Sequence, residues 1–74
     1  MIYEHYKGGL YRVIWSAVDH TRARFGSPVV VYMSLKSGEI LVRDANEFYG
    51  DVRVANSGLP MEFEWVKRFR QVTS

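Results

Sequence analysis

The segment Pro28–Leu35 constrains the fold of this chain more than any other stretch of its sequence. Alternate positions give it two apolar faces, one with Val29, Val31, Met33 and Leu35 and the other with Val30 and Tyr32. A strand that is apolar on both faces belongs in the middle of a sheet or barrel, where neither face meets water. Pro28 suits the first position of such a strand, because no ladder bond is needed from its nitrogen. The sequence therefore predicts a mainly β protein organised around this segment.

Other segments with the two-residue alternation of strands lie on both sides of it, at residues 11–18, 39–43, 51–54 and 59–65. The first has an apolar face of Tyr11, Val13, Trp15 and Ala17. The last is expected to place Leu59, Met61, Phe63 and Trp65 inside. Lys36–Gly38 has the length of a hairpin connection, and residues 19–27 have the composition of a loop.

Residues 44–48 are predicted to form a single helical turn. Asp44 is a residue type that caps helix N-termini, and Glu47 three positions later completes the pattern of a capping box. Phe48 is expected to hold this turn against the core.

The chain of 74 residues is predicted to be one domain, with residues 66–74 as a C-terminal tail. About five short strands, tight turns and one short helical turn are typical of a small SH3-like barrel or a rolled antiparallel sheet. The alternative is an open antiparallel sheet crossed by a C-terminal helix, because Val66, Phe69 and Val72 also fit one helix face. No cysteine is present, so neither a disulfide nor a thiolate metal site stabilises the fold.

The opening segment, residues 3–13, carries the strongest indication of a binding surface. It concentrates tyrosines, a histidine and a lysine around the pair Gly8-Gly9, which suits a turn or bulge. Aromatic rings stack on ligands and cations attract anionic groups, so we expect one aromatic-basic surface here. Its predicted members are His5, Tyr6, Lys7, Tyr11, Tyr32 and Arg43. The competing interpretation is that the tyrosines pack the core with their hydroxyls at its rim.

A second predicted surface is the basic loop that contains Arg22, Arg24 and Phe25. A further basic cluster, Lys67, Arg68 and Arg70, lies near the C-terminus. The formal net charge is nevertheless only +2, because acidic residues are interspersed among the basic ones. This balance indicates at most modest affinity for nucleic acid.

The sequence does not indicate an enzyme. It has no Gly-x-Ser-x-Gly elbow and no phosphate-cradle motif, and its histidines are His5 and His20. Two histidines fifteen positions apart, without a cluster of carboxylates, do not form a metal-ligand pattern. We therefore expect no catalytic residue, no metal and no cofactor. No apolar run is long enough for a membrane span, and we expect a cytoplasmic protein.

The run Tyr3-x-His5-Tyr6-Lys7-Gly8-Gly9-Leu10-Tyr11-Arg12-Val13 resembles the opening of a widespread family of small bacterial and phage proteins known only as a domain of unknown function. The resemblance continues through residues 20–21, 29–32 and 41–43 and covers about residues 3–65. It implies a shared fold and a cytoplasmic bacterial or viral setting, and it implies no activity. The chain departs from the family pattern at Asp44, where the family usually has proline, and at Arg22 and Arg24, near which the family often has an acidic residue.

The leading hypothesis is a non-catalytic binding module that recognises a protein segment through the aromatic-basic surface. The alternative is weak binding of nucleic acid or a nucleotide through the same surface and the loop at residues 22–25. Self-association of the chain is compatible with either hypothesis, because a small core favours burial shared between copies.

Overall fold

The computed structural model describes residues 1–55 and 62–73, with Thr73 described by its backbone alone. Seven strands follow one another as β1 (Ile2–His5), β2 (Leu10–Asp19), β3 (Ser27–Ser34), β4 (Ile40–Asp44), β5 (Asp51–Ala55), β6 (Phe63–Lys67) and β7 (Phe69–Thr73). A 3-10 turn, Arg22–Arg24, lies between β2 and β3, and the helix α1 (Ala45–Tyr49) follows β4. Leu59 and Met61, which were expected inside, lie outside the described residues.

The strands form two antiparallel sheets. The larger sheet has five strands in the order β4-β3-β2-β1-β7, and β5 pairs with β6 in a sheet of two. The predicted mainly β class with one short helical turn is confirmed. Over residues 1–55 and 62–73 the strands do not close into a barrel. The alternative with a C-terminal helix is wrong, because residues 63–73 form β6 and β7, and the α-helix that packs against β3 and β4 is α1.

The core lies on one face of the large sheet, which we call the inner face. Its buried members are Tyr3, Val30, Tyr32, Phe48 and Phe69. Phe48 is fully buried and stacks on Phe69, with ring centroids 4.1 Å apart. The predicted capping is confirmed, because the Asp44 carboxylate accepts hydrogen bonds from the amides of Asn46 and Glu47. The cap starts α1 where Phe48 can reach the inner face.

A β-bulge in β2 reverses the alternation that the sequence predicted. Val13 pairs with Tyr32 and Trp15 pairs with Val31, so Ile14 is an extra residue between them. Tyr11 and Val13 therefore belong to the inner face, whereas Trp15 belongs to the outer face and is 69% exposed. The expectation that Trp15 shares a face with Tyr11 is wrong for this reason.

The prediction that Phe63 and Trp65 point inside is also wrong, because they are 55% and 69% exposed. In the small sheet, Val52 pairs with Val66, and these two half-buried residues occupy the inward side. Phe63 and Trp65 alternate with Val66 along β6 and so lie on the opposite side.

Candidate functional site

The opening segment is a hairpin whose turn carries two of the predicted site residues. β1 ends at His5 and β2 begins at Leu10, and the His5 amide donates to the Gly9 carbonyl at 3.1 Å. Gly8 and Gly9 have φ values of 97° and 91°, which side chains with a Cβ rarely adopt. The turn expected at the glycine pair is confirmed, and it places Tyr6 and Lys7 at the exposed tip.

The predicted aromatic-basic residues form one continuous cluster. The His5 ring lies 4.7 Å from the Tyr6 ring and 6.4 Å from the Tyr11 ring, measured between centroids. The Lys7 ammonium lies 5.7 Å from the centre of the Tyr6 ring. On the other side, the Tyr11 and Tyr32 rings are 5.6 Å apart. The Arg43 Nε donates to the Tyr32 hydroxyl at 3.1 Å.

Phe69, which is not among the predicted site residues, joins this cluster at its centre. Its ring lies 4.9 Å from His5, 5.6 Å from Tyr11 and 5.4 Å from Tyr32. The Arg43 guanidinium lies 5.6 Å from the centre of the same ring. Phe69 pairs with His5 across β1 and β7, a contact between the two ends of the chain. The only signal in the sequence was the spacing of Val66, Phe69 and Val72, which does not distinguish strand from helix.

The members of the cluster differ in how far they reach water. Tyr32 is buried, with 3% of its surface exposed, and therefore supports the cluster from inside. His5, Tyr11 and Arg43 are half-buried, whereas Tyr6 and Lys7 are exposed. The tyrosines thus divide between the two interpretations: Tyr3 and Tyr32 pack the core, and Tyr6 lies at the surface.

A groove of about 640 Å³ lies between the large and the small sheet. We call it the intersheet groove. Its lining comes from the first hairpin (Glu4, His5, Tyr6, Gly8), the small sheet (Val54, Glu64, Val66, Lys67) and β7 (Arg70). The valines supply apolar surface, and charges of both signs surround it. Glu4 and Arg70 form an ion pair across the edge of the groove at 2.7 Å.

His5, like Tyr6, belongs both to the cluster and to the lining of the groove. Its Nδ1 accepts a hydrogen bond from the Lys7 amide at 3.1 Å, so the proton of the neutral ring is on Nε2. Partial burial lowers the pKa of His5 below its ordinary value, and the charges of Arg43, Arg68 and Lys7 lower it further. At neutral pH, His5 is therefore an uncharged hydrogen-bond donor beside cations.

Arg68 is a second residue near the site that is not among the predicted site residues. It is the single residue between β6 and β7, where the chain passes from the small sheet to the large one. Its carbonyl accepts from the Tyr6 amide at 2.9 Å, and its amide donates to Gly50 at 3.0 Å. Its side-chain Nε is buried and has no hydrogen-bond partner among the described residues.

Arg43 opens onto a different, smaller concavity of about 440 Å³, whose lining includes Asp19, Arg24, Asp44 and Glu47. Arg43 pairs with Glu47, and the Tyr32 hydroxyl and this carboxylate together raise the pKa of Arg43. The predicted residues therefore form one cluster but do not converge on one concavity.

The second predicted surface is partly neutralised. Arg24 contacts Asp19 at 3.5 Å and Asp44 at 2.7 Å, so its charge is balanced within the chain. Hydrogen bonds from Thr21 lower the pKa of Asp19, which keeps this carboxylate ionised. Phe25 is 70% exposed, and its ring lies 4.8 Å from the His20 ring. Arg22 lies at the surface of the same loop.

No group of three or more metal-binding side chains occurs in residues 1–55 and 62–73. His5 and His20 stand beyond opposite ends of β2, which is ten residues long. Among the helices of the described chain, none is long and apolar enough to cross a membrane.

A family model described as Protein of unknown function (DUF1653) matches residues 1–71. The resemblance predicted from the opening motif is thereby confirmed, over a longer stretch than residues 3–65. Neither the curated proteins nor the solved structures contain a match to this chain.

Proposed function

We propose that this chain, which belongs to the DUF1653 family of proteins of unknown function, is a non-catalytic module that binds an extended protein segment in the intersheet groove. The observation that carries the proposal is the composition of that groove. An apolar floor, Val54 and Val66, adjoins the half-buried His5 ring and the exposed Tyr6 ring. Protein-binding sites enrich amphipathic aromatic residues of this kind, because they combine a large contact area with a polar tip.

One cation beside the groove, Lys7 at the tip of the hairpin, favours a ligand segment with a carboxylate at that tip. Lys67 and Arg70 already pair with Asp51 and Glu4, at 3.7 Å and 2.7 Å. Lys7 has no ion-pair partner among the described residues and lies beside Tyr6 at the tip of the hairpin. We infer that an acidic side chain of the ligand pairs with Lys7 while a neighbouring apolar side chain packs on Val54 and Val66.

Binding of single-stranded nucleic acid or a nucleotide to the same surface is the second proposal. Tyr6 and Lys7 together have the chemistry to stack a base and attract a phosphate. Against a leading role for nucleic acid, four of the basic residues are engaged with carboxylates of this chain, namely Arg24, Arg43, Lys67 and Arg70. Release of bound counterions by such paired cations contributes little to affinity.

A display selection with random peptides tests the proposal. The target is the whole chain, and the selected peptides are then titrated against three proteins by calorimetry. The wild type and Lys36→Ala are expected to bind equally, because Lys36 is an exposed lysine in the turn between β3 and β4. Tyr6→Ala with Lys7→Ala is expected to weaken binding by about tenfold or more, the loss typical of interface residues that matter.

Two results of this experiment count against the proposal. If the double variant binds the selected peptides as tightly as Lys36→Ala does, the ligand lies elsewhere. The nucleic-acid proposal takes precedence if labelled single-stranded DNA binds the wild type at low salt, does not bind the double variant, and is not displaced by any selected peptide.

Two further expectations stand as proposals beside this function. An SH3-like or rolled arrangement of the two sheets is supported by the continuity of β6 and β7, since one residue separates a strand of the small sheet from a strand of the large one. A cytoplasmic setting is supported by the absence of cysteine from the sequence.

A further inference from the structure

The outer face of the large sheet carries a contiguous apolar patch that is independent of the intersheet groove. Residues paired across neighbouring strands lie on the same face. One row consists of Trp15, Val31 and Val42, and the next row consists of Arg12, Met33 and Ile40. Leu10 and Leu35 follow at the end of the same face, joined by a backbone hydrogen bond of 3.0 Å. We call these side chains the outer-face patch.

The patch exposes several large apolar side chains to water. Trp15 is 69% exposed, Val42 64% and Ile40 54%. With Leu10 and Leu35, these side chains present about 500 Å² of apolar surface, near the upper end of the largest patch on a typical monomer. The exposed side chains come from β2, β4 and the turn after β3, whereas on β3 itself Val29 is buried and Val31 and Met33 are half-buried.

We propose that a second copy of this chain covers the outer-face patch, so that two large sheets pack face to face. The first support is area: about 500 Å² of apolar side chain, with a polar rim, approaches the roughly 800 Å² per partner of a stable interface. The second is the small core of a single copy. Six hydrophobic residues are buried among those described, and the radius of gyration is 14.4 Å. A compact monomer of this length has a radius of gyration of about 11 Å.

The shape of the patch selects a copy of the same chain over a peptide. The patch spreads across the adjacent strands β2, β3 and β4 of one sheet, and two such faces pack well when their strands are aligned. Under two-fold symmetry, a patch is complementary to itself if a group in one copy contacts an unlike group in the other copy, and the reverse contact forms as well. Arg12 and Trp15 are neighbours on β2, so strands that overlie each other in opposite directions bring Arg12 of one copy over Trp15 of the other.

This arrangement also gives Arg12 a partner. Arg12 is the charged residue within the outer-face patch, and it has no ion pair among the described residues. A guanidinium over an indole face is a favourable contact, and it is stronger where water is excluded. An isolated charge within an apolar interface would otherwise oppose association.

Sedimentation equilibrium of the whole chain tests the proposal over low to high micromolar concentrations. The expected mass at the upper end is twice the 8.6 kDa of one chain. Trp15→Lys is expected to weaken self-association by about thirtyfold or more, as for a tryptophan at the centre of an interface. Trp65→Lys is the matched control, because Trp65 is equally exposed at 69% but belongs to the small sheet. It is expected to leave self-association unchanged.

A second measurement avoids any substitution in the patch. In the Trp65→Phe variant, Trp15 is the only tryptophan left. Its fluorescence is expected to become less accessible to acrylamide as the concentration rises, because the second copy covers the indole. A wild type that remains monomeric at high micromolar concentration overturns the proposal, and so does a dimer that Trp65→Lys disrupts and Trp15→Lys does not. A monomer whose Trp15 is shielded only by a different protein also overturns it.

Discussion

Phe48→Ala tests whether α1 is held by a single buried side chain. Phe48 is fully buried, stacks on Phe69 at 4.1 Å and meets Tyr3, Tyr32 and Tyr49 edge-on at 5.4, 5.1 and 5.0 Å. It is also the buried residue of a helix of only five residues. Such a short helix does not persist in water without tertiary contacts, so α1 and the stacked rings are lost together.

The size of the effect follows from the burial. Replacing a buried phenylalanine by alanine typically costs about 3–5 kcal/mol, from lost transfer energy and the cavity left behind. We expect the upper half of this range, because four aromatic rings lose their contact with Phe48. A domain of 74 residues has about 4–11 kcal/mol of total stability, so the variant is expected to be largely unfolded or close to it.

Urea unfolding followed by far-ultraviolet circular dichroism measures this loss. Tryptophan fluorescence is a poor probe here, since both tryptophans are 69% exposed in the folded chain. Phe25→Ala is the control: Phe25 is 70% exposed, and its replacement is expected to change stability by at most about 0.5 kcal/mol. Phe48→Leu is expected to cost less than Phe48→Ala, because leucine fills most of the cavity that alanine leaves, and it keeps a folded variant available. If Phe48→Ala costs no more than Phe25→Ala, the account of the core is refuted.

Three further predictions concern His5, the helix cap and Gly50. Because the pKa of His5 is lowered in the folded chain, the unfolded chain binds more protons, and His5 lowers the stability as the pH falls from about 6.5 through the native pKa. The variant His5→Gln should remove this part of the loss. Urea midpoints measured at neutral and at mildly acidic pH check this. Asp44→Ala should lower the free energy of unfolding in urea by about 1 kcal/mol, because the amides of Asn46 and Glu47 lose their acceptor. Asp51→Ala is the control for loss of an exposed ion pair, and it should leave the free energy of unfolding nearly unchanged. Gly50→Ala should lower the thermal midpoint by an amount equivalent to about 1–3 kcal/mol, since a Cβ there would lie 2.5 Å from the Asn46 carbonyl oxygen; a thermal midpoint equal to the wild type would contradict the packing described.

Local sequence signals predicted the elements that local chemistry determines. Asp44, Glu47 and Phe48 indicated a capped helical turn because capping depends on residues a few positions apart. The turn at Gly8-Gly9 was predictable because positive φ strongly favours glycine. The alternation rule failed in β2 because the extra residue at Ile14 reverses the faces of every residue after it.

The parts of the site that could not be predicted depend on contacts between distant residues. Phe69 reaches His5 only because β7 pairs with β1, and the sequence carries no local sign of that pairing. The burial of Tyr32 follows from the same assembly, since Phe48 and Phe69 cover it. Likewise, the floor of the intersheet groove comes from Val54 and Val66, which neither composition nor spacing connects with the opening hairpin.

The most direct test of the proposed binding site is a map of amide chemical shifts during titration with a display-selected peptide. The changes are expected to concentrate at the lining of the intersheet groove, in residues 4–8, 54, 64–67 and 70. They are expected to spare the 3-10 turn Arg22–Arg24, which lies beyond the opposite end of β2 from the first hairpin turn. Shift changes confined to the outer-face patch, or to the loop at residues 22–25, would contradict the proposed site.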